Sequence, residues 1–210
     1  MNIDFHCHTT ASGGSLDPST LIDLALERDV KMLSVTDHDT MDAYRQFGPA
    51  ANQLQLIPGI ELSTQWSRRG VHIVGLNVDI DSEPMEQAIR QQSAARQGRA
   101  EIIAERLARL GFSGCLEGAQ SFSSGPQVGR PHFAQYLLKI GAVSTIDQAF
   151  KRYLGAGKVG DVKDQWPELD TVIGWIRDAG GVAVLAHPTK YKVTRTKLVE
   201  LIGAFKAAGG

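Results

Sequence analysis

The chain has 210 residues, 42% of them hydrophobic and 21% charged, with a formal net charge of −1. This is the composition of an ordinary globule, long enough for one large α/β domain or a domain carrying an insertion. A charge so near zero excludes bulk electrostatic attraction to long nucleic acid, so no long-DNA binding is expected.

Residues 2–8 begin the chain as a strand, and Asp17-Pro18 opens a helix over 19–28 in which Leu21, Leu24 and Ala25 recur at helical spacing. A second strand is expected over 30–37, a helix over 41–53, strands over 54–63 and 71–79, and, after a helix at 169–179, a strand over 181–187. Such alternation predicts a parallel sheet or a β/α barrel. Residues 83–154 interrupt it with a long helical pattern over 85–110, a Gly/Ser segment at 121–125, and shorter helices over 132–140 and 145–154. The expected organisation is therefore a barrel formed by 1–82 and 155–210, with 83–154 as an inserted helical subdomain. A barrel helix is expected over 198–208, and only five strand candidates precede it. A complete β/α barrel takes about 250 residues, so the expectation is a truncated chain whose C-terminal strands are missing.

All six histidines fall in short motifs at the ends of these runs or beside Arg130-Pro131. His6 and His8, two apart on a strand, share one face with Asp4, while Cys7 points the other way. His38 follows the apolar run Met32, Leu33, Val35, and its neighbours Asp37 and Asp39 are suited to orient imidazoles by accepting from them. Asp39 equally fits the N-cap of the helix expected over 41–53. Glu61 ends the third strand, and a carboxylate can bridge two cations as an imidazole cannot. His72 begins the fourth strand, His187 closes the fifth, and His132 opens a short helix. Singly, each of these three also fits an ordinary core or surface histidine. Together, at recurring strand ends, the six point to a metal site. Two cysteines make no disulfide framework and no apolar run could span a bilayer, so a cytoplasmic protein without a membrane partner is expected.

Asp4-Phe5-His6-Cys7-His8-Thr9, Thr36-Asp37-His38-Asp39-Thr40, Pro58-Gly59-Ile60-Glu61-Leu62-Ser63 and His72-Ile73-Val74-Gly75-Leu76 resemble the polymerase and histidinol phosphatase (PHP) superfamily. Arg130-Pro131-His132-Phe133-Ala134 and Leu185-Ala186-His187-Pro188 are similar to its branch acting on 3′,5′-bisphosphate nucleosides and on 5′-phosphorylated RNA ends. The resemblance runs over essentially the whole chain. It implies a distorted β/α barrel holding up to three cations, usually Mn²⁺, with Zn²⁺, Fe²⁺ or Mg²⁺ as alternatives. Carried over, it implies that His6, His8 and Glu61 hold the first metal, Glu61, His72 and His132 another, and that His38 shares the remaining one. His187 completes the site or contacts the scissile phosphate, and His187 and Asp37 are the expected catalytic positions. The family's Asp after His-x-His is replaced here by the run Ser12-Gly13-Gly14, and its late Asp-x-His motif is absent.

Arg130, Arg96 and Arg99 are the candidates for gripping a phosphate of a nucleotide or short RNA 5′ end by forked hydrogen bonds. Arg96 and Arg99 fit a solvated helix face beside Glu101 and Glu105 equally well. Trp66 and Arg68, on a loop expected over 64–70, suit base stacking or closing of the barrel mouth. The expected reaction is phosphate-ester hydrolysis by metal-activated water. Its rivals are another PHP phosphatase of the histidinol phosphate type, an amidohydrolase-type C–N hydrolase and a non-catalytic metal-binding module. Oligomeric state has no signature in the sequence.

Overall fold

In the computed structural model, which describes residues 2–123, 127–162 and 165–210, the chain opens with strand β1 (Asn2–Cys7). Helix α1 (Pro18–Glu27) is entered through Asp17, whose carboxylate accepts from the Ser19 and Thr20 backbone N–H groups. Pro18 at the first helical position has no N–H to leave unpaired. Beyond α1, β2 (Val30–Val35) lies parallel to β1, and β3 (Gln55–Leu56) lies parallel to β2. Ile22, Leu33 and Val35 are buried together in the core of this part. The helix expected over 41–53 is instead a pair of 3-10 turns, Asp42–Arg45 and Pro49–Gln53. Pro49 lacks the N–H that a continuous helix needs from it. The strand expected over 54–63 is likewise divided, by Pro58, into β3 and β4 (Gly59–Trp66).

β4 and β5 (Arg69–Leu76) form an antiparallel hairpin, which corrects the parallel arrangement expected here. Ser67 and Arg68 both have positive φ, 48° and 59°, and make the two-residue turn between paired Trp66 and Arg69. That backbone matches the right-handed twist of the strands it joins. Trp66 is thus the last residue of β4 and Arg68 a turn residue, neither of them on an extended loop.

Two units divide the chain, one of Met1–Gln92 with Trp166–Gly210, the other of Ser93–Gln165. Helix α2 (Glu83–Ala108) contributes Met85 and Ala88 to the core of the first and Ala100, Ile103 and Leu107 to that of the second. In the second unit, α3 (Cys115–Gln120), a helix with no counterpart in the sequence-based expectation, packs on α4 (Arg130–Lys139). A Cβ on Gly118 would stand 2.2 Å from the Tyr136 ring, so only glycine allows this approach. The Gly/Ser segment at 121–125 runs beyond the described residues. Helix α5 (Ile146–Ala149) continues into a π-helical turn, Phe150–Leu154.

Back in the first unit, α6 (Leu169–Asp178) buries Val172, Ile173 and Ile176 with Ile60, Leu62 and Ile73 of the hairpin. β6 (Val182–Leu185) then pairs antiparallel with β5, and α7 (Arg195–Ala207) adds Leu201 to the same core. The class is α/β, with one small parallel sheet and one small antiparallel sheet. An isolated parallel bridge between His38 and Glu61 joins the end of β2 to β4.

Candidate metal centre

Five imidazoles converge on one buried carboxylate. Glu61 is 1% exposed, and its Oε2 lies 3.1 Å from His6 Nε2, 3.2 Å from His8 Nε2 and 3.3 Å from His38 Nδ1. Its Oε1 lies 2.9 Å from His72 Nδ1 and 3.0 Å from His187 Nε2. The strand period explains much of this arrangement. His6 and His8 sit at the end of β1 with one residue between them, so both rings leave the same face. Glu61 and Ser63 share a face of β4, and Ser63 pairs with His72 of β5, which sets His72 diagonally across from Glu61. His38 lies three residues beyond the end of β2 and His187 two beyond that of β6. Glu61 and His72 therefore lie inside their strands, although the sequence placed one at a strand end and the other at a strand start.

The ligand atoms form two groups that share Glu61: His6, His8 and Glu61, and His38, Glu61 and His72, each within 4.8 Å. A carboxylate only accepts, and it offers about four lone-pair directions. Five ring nitrogens surround this one. That is one more than its lone-pair directions can serve, and five charged rings with centroids as close as 4.6 Å would repel one another. The Nδ1 atoms of His8 and His187 are buried without a hydrogen-bond partner. Imidazole with a carboxylate is the donor set of Mn, Fe and Zn, and the residues fit a divalent cation.

Burial alone would raise the Glu61 carboxyl. Hydrogen bonds from His6, His72 and His8, with the charge of His38, outweigh it and hold the group well below the usual carboxylate range. His6 is raised by its hydrogen bond to Glu61. His187 is lowered by burial, with Glu61 opposing.

The flanking aspartates have different duties from those expected. Asp37 accepts from the Thr9 N–H at 2.8 Å, the Thr9 hydroxyl at 2.6 Å and the Ser12 hydroxyl at 2.6 Å. These three bonds tie it to the loop after His8, a framework duty. Asp39 does not cap a helix: it accepts from the Ser63 N–H at 2.7 Å and the Ser63 hydroxyl at 2.8 Å, which fixes β4 two residues beyond Glu61. Asp4 accepts from the His6 N–H at 3.1 Å. The Cys7 thiol bonds the Ser34 carbonyl, away from the histidine face of the strand, and burial pushes its pKa up to about 12. Sequence reasoning missed Tyr191. Its hydroxyl accepts from the His72 N–H at 3.0 Å and its ring meets that of His187 edge-on. His187 itself has φ of 31°, a strained value for a non-glycine residue, which starts the tight turn returning Tyr191 to the cluster. No sequence signal marks that turn beyond Pro188.

The other expected site residues belong to the second unit. His132 Nδ1 accepts from the Gly129 N–H at 3.1 Å, and burial followed by the charge of Arg96 lowers its pKa. Arg130 donates to the Leu154 carbonyl at 3.2 Å. Burial lowers its pKa, with Asp161 opposing and Arg96 adding to the shift. Arg99 is 8% exposed and its Nε donates to the Val162 carbonyl at 3.0 Å. Arg96 lies near the N-terminus of α4, with Nη1 4.0 Å from the position a Cβ would take on Gly129.

No family model matches the chain. It is 43% identical over 209 residues to a 5′-3′ exoribonuclease of Haemophilus influenzae, covering 99% of this chain and 76% of that protein. It is 38% identical over 212 residues to a 3′,5′-nucleoside bisphosphate phosphatase of Chromobacterium violaceum, covering 100% of this chain and 74% of that one. Among solved structures, an amidohydrolase from Chromobacterium violaceum with bound sulfate and no metal superposes with a TM-score of 0.89 at 38% identity, over 100% of this chain and 75% of that one. A structure from Bifidobacterium adolescentis, assigned as a metal-dependent phosphoesterase, superposes with a TM-score of 0.83 at 26% identity, over 99% of this chain and 74% of that one. With its histidine motifs and these relatives, the chain belongs to the PHP superfamily of metal-dependent phosphoesterases, in the group of 5′-3′ exoribonucleases and 3′,5′-nucleoside bisphosphate phosphatases.

Proposed function

We propose that this chain hydrolyses phosphate from 3′,5′-bisphosphate nucleosides and nucleotides from 5′-phosphorylated short RNA, with Mn²⁺ as the preferred cofactor. The observation that carries the reading is the Glu61 carboxylate ringed by five imidazoles. His6, His8 and Glu61 would hold one cation, and His38, Glu61 and His72 a second, with His187 completing the pair from the Oε1 side. Divalent cations in such a pair supply Lewis acidity to a phosphoryl group and lower the pKa of water toward neutrality. Glu61, charged and buried, accepts from the imidazoles and keeps their ring nitrogens turned inward, where a cation would take the place of those protons. Asp37 and Asp39 fix the backbone on which His8, His38 and Glu61 stand. Arg130, Arg96 and His132 are assigned to the substrate's second phosphate, where a guanidinium fork suits a dianion.

The same reading extends the fold to a distorted β/α barrel. It is supported by the His38–Glu61 bridge between the sheets and by β1 and β6, each with one edge unpaired among the described residues. No helix among the described residues is long and apolar enough to cross a membrane, and both cysteines are free thiols. A cytoplasmic enzyme accords with these two features.

The test is Mn²⁺-dependent phosphate release from adenosine 3′,5′-bisphosphate, with His6→Ala as control. Release by the parent chain and its loss in the variant is the expected result. No release with Mn²⁺ from either the bisphosphate or a 5′-phosphorylated oligoribonucleotide overturns the reading.

A further inference from the structure

A basic cleft on the second unit has no part in the centre just described. Its sequence, Phe150-Lys151-Arg152-Tyr153-Leu154-Gly155-Ala156-Gly157-Lys158, builds it locally. The π-helical turn Phe150–Leu154 is closed by the Gly155 N–H on the Phe150 carbonyl at 2.8 Å. A Cβ on Gly155 would come within 2.7 Å of that carbonyl oxygen. Gly157, at φ of 73°, then turns the chain, and its N–H donates to Asp161 Oδ2 at 2.7 Å. The Gly160 N–H closes the return on the Tyr153 carbonyl at 2.7 Å. This fold-back sets Lys158 beside Lys151 and Arg152 around an open cleft of about 710 Å³, lined also by Gln148 and Tyr153. π-Helical turns concentrate at functional sites.

The charges here are uncompensated. Elsewhere, exposed Arg90, Arg109 and Lys197 each lie against a carboxylate three or four residues away in sequence. Lys151, Arg152 and Lys158 are exposed and form no ion pair among the described residues, and no acidic residue lines the cleft. The Gln148 amide oxygen is engaged by the Ser144 N–H, which leaves its NH₂ to donate. The Tyr153 ring is fixed edge-on against Phe112. A concave wall of cations and donors, on a protein of near-neutral net charge, is a local anion site and not a by-product of overall basicity.

We propose that this cleft holds the phosphodiester backbone of single-stranded RNA. This rests on the phosphoesterase reading and deepens it: a mononucleotide bisphosphate has no internucleotide phosphodiester to place in such a groove, whereas an oligoribonucleotide has several.

The experiment measures RNA binding with hydrolysis suppressed by chelation. A labelled, 5′-phosphorylated oligoribonucleotide of about eight residues is long enough to fill a groove of this kind. It is titrated against the parent chain, a Lys151→Gln/Arg152→Gln/Lys158→Gln variant, and a Lys139→Gln control, at several salt concentrations. All four substituted side chains are exposed, and thermal melting checks that each variant folds. The triple variant should bind at least about tenfold more weakly, with a salt dependence shallower by about 2 in log–log slope, roughly 0.7 for each of three lost phosphate contacts. The control should match the parent. Equal affinity and slope in the triple variant, or no binding by the parent, overturns the cleft, as would occupancy by an acidic peptide that leaves RNA affinity untouched. Release of phosphate from adenosine 3′,5′-bisphosphate by the parent chain tests the other reading separately. Its absence alongside cleft-dependent RNA binding overturns the phosphoesterase and keeps the cleft.

Discussion

His38 and Glu61 are joined at two levels. Their backbones form an isolated parallel bridge, with the Asp39 N–H on the Glu61 carbonyl at 3.0 Å and the Glu61 N–H on the Asp37 carbonyl at 3.1 Å. Their side chains then meet at 3.3 Å, Nδ1 to Oε2. The stitch between the two sheets and the hub of the imidazole cluster are the same pair of residues. Fold and site are therefore coupled there, and a cation drawing on both side chains would also clamp the sheets.

Glu61→Gln keeps the volume and removes the charge. The backbone bridge is untouched, so the chain should still fold, but one carboxylate oxygen becomes an NH₂ that donates toward imidazoles. Both candidate cation groups lose their shared ligand. The expected outcome is a fall in hydrolysis of at least about a thousandfold, in the range of losing a group that stabilises developing charge, with bound Mn²⁺ near zero by elemental analysis. Mn²⁺ retained at the parent's stoichiometry would remove Glu61 from the centre.

Asp37→Ala tests the framework role. Three donors, the Thr9 N–H and the Thr9 and Ser12 hydroxyls, lose a buried charged acceptor. Hydrogen bonds to charged groups contribute about 1.5–3 kcal/mol each, and partial rescue by water leaves a net loss of about 3–5 kcal/mol. Urea denaturation reads this directly. Because the loop follows His8, metal affinity should fall by about 10–100-fold, as for other groups that orient ligands. A proton-relay role for Asp37 would instead give a large rate loss with stability and metal content intact.

How much of this was legible before the structure differs residue by residue. His6 and His8 were placed on one face by the two-residue strand period alone, and their Nε2 atoms meet one oxygen of Glu61. The interior position of Glu61 was not legible, because Pro58 breaks the run before it and the Ser67-Arg68 hairpin lacks the Asn-Gly signal that usually betrays such a turn. The duties of Asp37 and Asp39 were invisible for another reason. Their partners, Thr9, Ser12 and Ser63, lie 24 to 28 residues away in sequence, and only tertiary pairing brings them together. Tyr191 was lost among the tyrosines because the strained turn at His187, which returns it to His72, has no compositional mark.

The metal-free protein should titrate in a characteristic way. His6 is raised above its ordinary 6.5, chiefly by its hydrogen bond to Glu61, against burial. The stabilisation it contributes is complete below 6.5 and is lost as pH rises through the folded value. Glu61 is lowered from 4.5 despite burial, so its contribution is present above 4.5 and is lost as pH falls through the folded value. His187, lowered by burial, acts below 6.5, where its reluctance to take up a proton costs stability as pH falls through its folded value. In EDTA, proton NMR of the imidazoles should show His6 titrating above 6.5 and His187 below it. Glu61→Gln should lower the His6 titration, since burial and Lys190 are then opposed by Asp4 alone. An unchanged His6 titration in that variant would break the assigned cause.

His132 is expected to donate, not to ligate. A backbone N–H can only donate, so the Gly129 N–H at 3.1 Å requires a lone pair on His132 Nδ1. Burial and the charge of Arg96 lower the ring's pKa and favour its neutral form. The single proton of that neutral ring then sits on Nε2, where a metal would need a lone pair. An Nε2–H in the first turn of α4 suits a phosphate oxygen. His132→Ala should therefore leave bound Mn²⁺ unchanged while kcat/KM for adenosine 3′,5′-bisphosphate falls by about 10–100-fold, the worth of one hydrogen bond to a charged group. His132→Gln, which retains an N–H donor, should recover part of that loss. His72→Ala is the contrast, since it removes a ring nitrogen 2.9 Å from Glu61 and should lower metal content itself. Loss of Mn²⁺ from His132→Ala to the same degree as from His72→Ala would make His132 a ligand after all, and would require the Gly129 contact to break when metal binds.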